Sequence, residues 1–215
     1  MKTALKINDT YSVISVAKNG CSTVAAQTLI YHEPETYDFN YFKDAHYKHL
    51  NCINKGENGL IFPLTYKYLT NVCDLKKNKN EKIIFIFRDP IQRFLSSFKT
   101  DFIGKNMVFK NFLFMVIHNF FIHKNQLKNI DIHYRPQYTF VDFNDIDIFI
   151  ELNDYENFCK ENNIPFIKLN QNPDKNYKQK IILTEKQKSL IKKIYEKDYE
   201  MIDKIKKSGK LYGTL

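Results

Sequence analysis

KIIFIF, residues 82–87, runs straight into RDPIQRFLSS, residues 88–97. Six residues rich in β-branched and aromatic side chains, with no polar alternation, predict a strand covered on both faces, the pattern of a parallel strand inside a sheet. Asp89 can accept from the amides of a helix that begins at Pro90, and proline suits a first turn because its missing N–H is not needed there. Ile91, Phe94, Leu95 and Phe98 then recur at helical spacing. The same grammar occurs earlier. YSVISV (11–16) reads as a strand, Ala17 to Thr23 as a tight loop and VAAQTLIYH (24–32) as a helix, with Ser22 or Thr23 near its N-cap. Strand, loop and helix in alternation predict an α/β domain of three layers, α/β/α, around a mainly parallel central sheet.

Outward from these units the pattern is less regular. A short helix is expected over Asp44–Leu50, another over Tyr66–Cys73, and a longer one over Val108–Phe121. Tyr138–Phe143 and Asp147–Glu151 read as strands, Tyr155–Asn163 as helix and Pro165–Leu169 as an extended piece. Thr184 opens a long last helix, about 184–207, whose apolar stripe is Leu190, Ile191, Ile194, Tyr195, Tyr199, Ile202 and Ile205. At 215 residues, 43% hydrophobic and 27% charged, with six Gly and six Pro, the chain is expected to form one folded domain over 1–215. No apolar run approaches the length of a membrane span, and MKTALKINDT has no secretory character, so a cytoplasmic location is expected. Cys21, Cys52, Cys73 and Cys159 form no metal-ligand cluster and read as free thiols.

The net charge of +9 favours an anionic partner without choosing one. Much of it lies in Lys/Asn runs such as KKNKNEK, which read as solvated surface. The loop 16–23 is more specific, because a loop feeding a helix N-terminus presents free N–H groups and the positive end of the dipole to an anion. Gly20 allows close approach, Lys18 brings charge, and Ser22 and Thr23 bring hydroxyls. It is not a Walker loop, since its lysine precedes the glycine. Arg88, at the C-terminal end of the 82–87 strand, lies where open α/β sheets bind ligands, and with Ser96 it could hold a phosphate. Arg93 reads as half of an ion pair with Asp89.

Together these motifs resemble the sulfotransferase superfamily, nearest to its carbohydrate O-sulfotransferases. Val16-Ala17-Lys18-Asn19-Gly20-Cys21-Ser22 is similar to the family's 5′-phosphosulfate loop, with Ala17 in place of the usual proline. Phe87-Arg88-Asp89-Pro90-Ile91-Gln92-Arg93-Phe94-Leu95-Ser96 is similar to its 3′-phosphate motif (87–97), and His133-Tyr134-Arg135-Pro136-Gln137 to its HWRPQ element. Leu169-Asn170 through Tyr177, and Ile194-Tyr195 with Asp198-Tyr199 and Ile202, are similar to its closing segment. The resemblance spans about residues 10–205.

It implies a P-loop-NTPase-like sulfotransferase fold and in-line transfer of a sulfuryl group from PAPS (3′-phosphoadenosine-5′-phosphosulfate) to a sugar hydroxyl, leaving PAP. It assigns cosubstrate binding to Lys18, Asn19, Gly20, Cys21, Ser22, Thr23, Arg88 and Ser96, and acceptor contacts to His133, Arg135 and Gln137. No metal is expected, because Lys and Arg can supply the positive charge. The base should be a histidine lying between the two loops, His46 or His49, the first favoured. The acceptor is expected to be a glycan, acidic or lipid-linked, of bacterial type; nucleic acid is not an expected partner. A nucleotide-dependent kinase of related fold, or a basic module stacking bases on its 14 Tyr and 18 Phe, remain the alternatives.

Overall fold

A computed structural model describes residues 3–14, 16–37, 68–76, 80–101, 108–167 and 181–213. The expected helix at 44–50, both candidate bases His46 and His49, and the 169–177 segment lie outside the described residues.

A five-stranded sheet has the order β3-β1-β2-β4-β5. β2 (Tyr11–Ile14), β4 (Lys82–Phe87) and β5 (Ile148–Glu151) pair in parallel. β1 (Thr3–Lys6) is antiparallel to β2 and to β3 (Leu69–Asn71). Four strands therefore run one way and β1 alone is reversed. β1 was not foreseen: TALK is four residues long with a lysine in it. It is set by a hairpin in which Asn8 Oδ1 accepts from the amides of Thr10 (2.9 Å) and Tyr11 (2.8 Å).

The sheet is covered on both faces, and β4 shows why its sequence lacks alternation. Ile83, Phe85 and Phe87 point into a cluster with Ile14, Val16, Phe149, Ile202 and Ile205, whereas Ile84 and Ile86 join Val13, Val24, Tyr155 and Phe158. The first cluster brings in α7 (Glu196–Lys206), the second α1 (Cys21–His32) and α5 (Tyr155–Glu161). That is the three-layer arrangement expected. A third cluster joins α3 (Pro90–Asp101), α4 (Phe109–Ile122) and α6 (Glu185–Ile194) through Phe94, Phe98, Phe112, Val116, Ile191 and Tyr195.

Three expectations need correction. The described part of the expected Tyr66–Cys73 helix, from Tyr68 on, is not one helix: residues 69–71 pair with β1, and only the four-residue α2 (Val72–Leu75) follows. Tyr138–Phe143 is not a strand either, because Gln137–Phe140 forms a 3-10 turn tied down by Asp198. The last helix is two, α6 and α7, broken at Tyr195. No Pro or Gly marks that break. Tyr195 is 1% exposed and its hydroxyl donates to the carbonyl of Tyr134, a buried anchor that fixes where the helix bends. Thr184 does open α6, through a capping box with Gln187.

The edge of β5 away from β4 meets residues 210–212. The Phe149 amide donates to the Lys210 carbonyl and the Tyr212 amide to the Phe149 carbonyl, each at 2.9 Å, around a parallel bridge between Phe149 and Leu211.

Candidate functional site

The loops after β2 and β4 leave neighbouring parallel strands at the same end, so the chain's topology brings residues 17–23 beside residues 88–97. Lys18 and Gly20 both take left-handed backbone, at φ 69° and 79°. Gly20, and not Ser22 or Thr23, occupies the N-cap of α1. Its torsion favours glycine, and a Cβ there would lie 3.0 Å from Leu152 Cδ1, so the leucine side chain would have to shift slightly to admit one. The amides of Cys21, Ser22 and Thr23 open the helix without a partner among the described residues, and no acidic side chain lies in that turn. Such a turn favours an anion.

Asp89 and Pro90 act as expected at the head of α3: Asp89 Oδ1 accepts from the Gln92 amide at 2.9 Å. Arg88 sits half-buried at the strand end and its guanidinium donates to the Lys18 carbonyl at 3.3 Å. The two motifs thus touch, across 70 residues of sequence. Beside them, at the ends of β4 and β5, is a cleft of about 230 Å³ lined by Arg88, Asp89, Gln92, Glu151, Leu152 and Asn153. Leu152 is the wall shared with Gly20. Two carboxylates line this cleft, so an anion is better accommodated on the Lys18 and α1 side.

Beneath this surface the structure differs from the sequence reading. Arg93 makes no ion pair with Asp89. It is 2% exposed and donates to three backbone carbonyls, Ala17 (3.0 Å), Ile132 (2.9 Å) and Arg135 (2.7 Å). It therefore ties the first loop to the 132–135 segment, although burial pulls its pKa down. Ser97, also buried, donates to the His133 carbonyl.

Gln137 was expected at the acceptor but is fully buried. Its Nε2 donates to the Arg88 carbonyl (2.8 Å), while its Oε1 accepts from the Arg88 amide (3.0 Å) and from Asn19 Nδ2 (2.6 Å). Asn19 likewise does not face a ligand with its amide nitrogen, which also donates to the Ile86 carbonyl at 3.0 Å. Its Oδ1 is buried and has no partner among the described residues. Thr23 donates its hydroxyl to the Ile167 carbonyl at 2.8 Å. Arg135 donates to the carbonyls of Lys128 and Ile130 and lies over the Phe140 ring, so its charge is held within its own turn. His133 is partly exposed, with Nδ1 2.8 Å from Asp131 Oδ1. That contact holds the Asp131 carboxyl below its ordinary pKa.

Of the expected cosubstrate contacts, Lys18, Gly20, Cys21, Ser22, Arg88 and Ser96 are partly exposed. Asp198, which the sequence reading left without a role, joins them indirectly. It is fully buried on α7 and accepts from the amides of Gln137 and Tyr138, each at 2.9 Å. Burial pushes its carboxyl above the ordinary value, against those two amides and the nearby Arg93 charge, which pull the other way. A signal existed in the sequence. Ile191, Tyr195, Asp198, Ile202 and Ile205 follow one apolar stripe, and an acid in phase with it is an acid inside the core.

Among the described residues no group of three His, Cys, Asp or Glu could hold a metal ion. Compared with protein-family models, with curated proteins and with solved structures, the chain matches none.

Proposed function

We propose that this protein transfers a sulfuryl group from PAPS to a hydroxyl of a carbohydrate, with the P-loop-like sulfotransferase fold that its two loop motifs resemble. One observation carries the reading: the Lys18–Thr23 loop and the Arg88–Ser96 helix start, the two sequences that resemble phosphosulfate and phosphate loops, lie in contact at the ends of adjacent parallel strands. A module that bound anions by overall charge alone would not require these two motifs to meet. A magnesium-dependent kinase would want a Walker loop, and residues 16–23 are not one.

In this reading PAPS brings the sulfuryl group, already activated by its link to phosphate. The chain's part is to hold that link and the acceptor in line. Open amides of residues 21–23 and the Lys18 ammonium meet the charge that builds on the leaving phosphate, and fixed donors do so without the reorganisation water would need. Arg88 and Ser96 take the 3′-phosphate. Ser22, partly exposed in the first turn of α1, adds a hydroxyl donor, whereas Asn19, Thr23 and Gln137 shape the loops. The acceptor proton goes to His46 or His49, and His133 and Arg135 are the acceptor-side contacts that retain partial exposure.

Isothermal titration with PAP, beside ATP and 5′-AMP, tests the reading. Micromolar binding of PAP, weakened in folded Arg88→Ala and Ser96→Ala proteins, is expected. A folded protein that does not prefer PAP to the other two nucleotides overturns it. With binding established, turnover of glycan acceptors in the separate His46→Ala and His49→Ala proteins assigns the base.

A further inference from the structure

The most apolar of the described helices is not fully used by the core. Phe112, Leu113 and Val116 of α4 are buried in the third cluster, yet Phe114 is 70% exposed and Phe121 75%. Phe114, His118 and Phe121 fall at positions i, i+4 and i+7, so they form one outward stripe. Ile122 continues it, Val108 precedes it, and Ile132 in the following loop is also exposed. These five are most of the large exposed apolar residues among those described, gathered on one helix and its flanks. Single exposed apolar residues are ordinary on a protein surface; a set concentrated on one helix is not.

Along α4 itself the charge has one sign, although exposed Asp131 sits beside Ile132. From 102 through 130 the sequence contains no Asp or Glu, while Lys110, Lys124 and Lys128 are exposed. Lys124 Nζ lies 6.0 Å from the Phe121 ring centre, and the Phe114 and His118 rings stack at 6.4 Å. Helix α6, packed in the same cluster, adds Lys186, Lys188, Lys192 and Lys193 against a single Glu185. Exposed Phe and Ile interspersed with Lys is the make-up of a helix that lies in a membrane interface, its rings among the acyl chains and its ammonium groups at anionic headgroups. A second copy of the chain would bring the same lysines against one another, which disfavours a two-fold contact through this face.

We propose that the outward face of α4 seats the protein on an anionic membrane surface. α4 is short and interrupted by Lys110, Asn111, His118 and Asn119, and no described helix is long and apolar enough to cross a membrane, so the contact is peripheral. Such seating would present lipid-linked glycans to the site in preference to free ones. That consequence rests on the proposed function, whereas the docking does not.

Co-sedimentation of the full chain with phosphatidylcholine vesicles, with and without phosphatidylglycerol, tests it. Pelleting with the anionic vesicles alone is expected. A Phe114→Ser/Phe121→Ser protein should bind them roughly tenfold more weakly, with its thermal melt and PAP titration unchanged. Lys110→Glu/Lys124→Glu gives a second route to the same loss should the first protein fold poorly. Absence of pelleting, equal pelleting with neutral vesicles, or undiminished pelleting of both variants overturns the proposal. So does a concentration-dependent dimer, seen by light scattering, that the Phe substitutions abolish. Because vesicles and PAP are read separately, failure of one leaves the other standing.

Discussion

Arg88 and Arg93 lie five residues apart, yet one belongs to the lip of the site and the other to the frame under it. Arg88 is half-buried at a strand end, beside the open first turn of α1. Arg93 is enclosed, with its guanidinium divided among three carbonyls from two other segments. The frame also contains Asn19, Gln137 and Asp198, whose side chains address backbone atoms, whereas the lip contains Lys18, Ser22 and Ser96. A motif that looks continuous in sequence is thus split by depth. Substitution in the frame should cost stability, and substitution in the lip should cost binding and turnover.

Arg93→Met tests the split where the effect should be greatest. Three charge-assisted bonds vanish and their carbonyls stay buried, so urea unfolding should show a loss of about 3–5 kcal/mol. An unchanged midpoint would dissolve the distinction. Lys18→Ala should do the opposite: its unfolding curve should overlay the wild type, while the proposed sulfuryl transfer should slow by on the order of 3 kcal/mol in the barrier, about a hundredfold.

Asp198→Asn sharpens the frame side. It sets an amide NH₂ against a backbone N–H and should lose about 2 kcal/mol. Its pH dependence is the more telling result. Burial raises the folded-state pKa of Asp198, so the folded protein binds this proton more tightly than the unfolded one. Wild-type stability should therefore fall as pH rises from the ordinary carboxylate range through the raised value, and the Asn protein should lack that component. Gly20→Ala probes the boundary between the regions. Left-handed backbone and the approach of Leu152 should together cost about 1–2 kcal/mol, with weaker PAP binding as well.

The smallest effect is expected at Cys159. Burial pushes its thiol up to about 11, so iodoacetamide at mildly alkaline pH should label exposed Cys73 and leave Cys159 intact until the protein unfolds.

Sequence alone disclosed most of the lip and little of the frame, for a physical reason. A buried parallel strand, a capped helix and a loop rich in donors each leave local marks, and β4, Asp89-Pro90 and Lys18–Ser22 carry them. The frame depends on contacts between residues 39 to 118 positions apart, such as Arg93 with Ile132 and Asn19 with Gln137. No local pattern encodes those pairings. Gln137 was read as ligand-facing because residues 133–137 resemble an HWRPQ element, and only the fold shows its amide closed against Arg88. The bend at Tyr195 was hidden for the same reason: the hydroxyl that anchors it finds its acceptor on another segment.

The strip at residues 210–212 has a consequence for how this chain is made. β5 lies at the border of the sheet, and its outer hydrogen-bonding groups are met by a segment about sixty residues further along. During translation those groups must wait, because the strip leaves the ribosome after every strand it helps to finish. The nascent sheet therefore has an open flank next to Phe149 and Ile150 until synthesis has passed Tyr212, and it is in that interval that a holdase, or a neighbouring nascent chain, would find a strand to pair with.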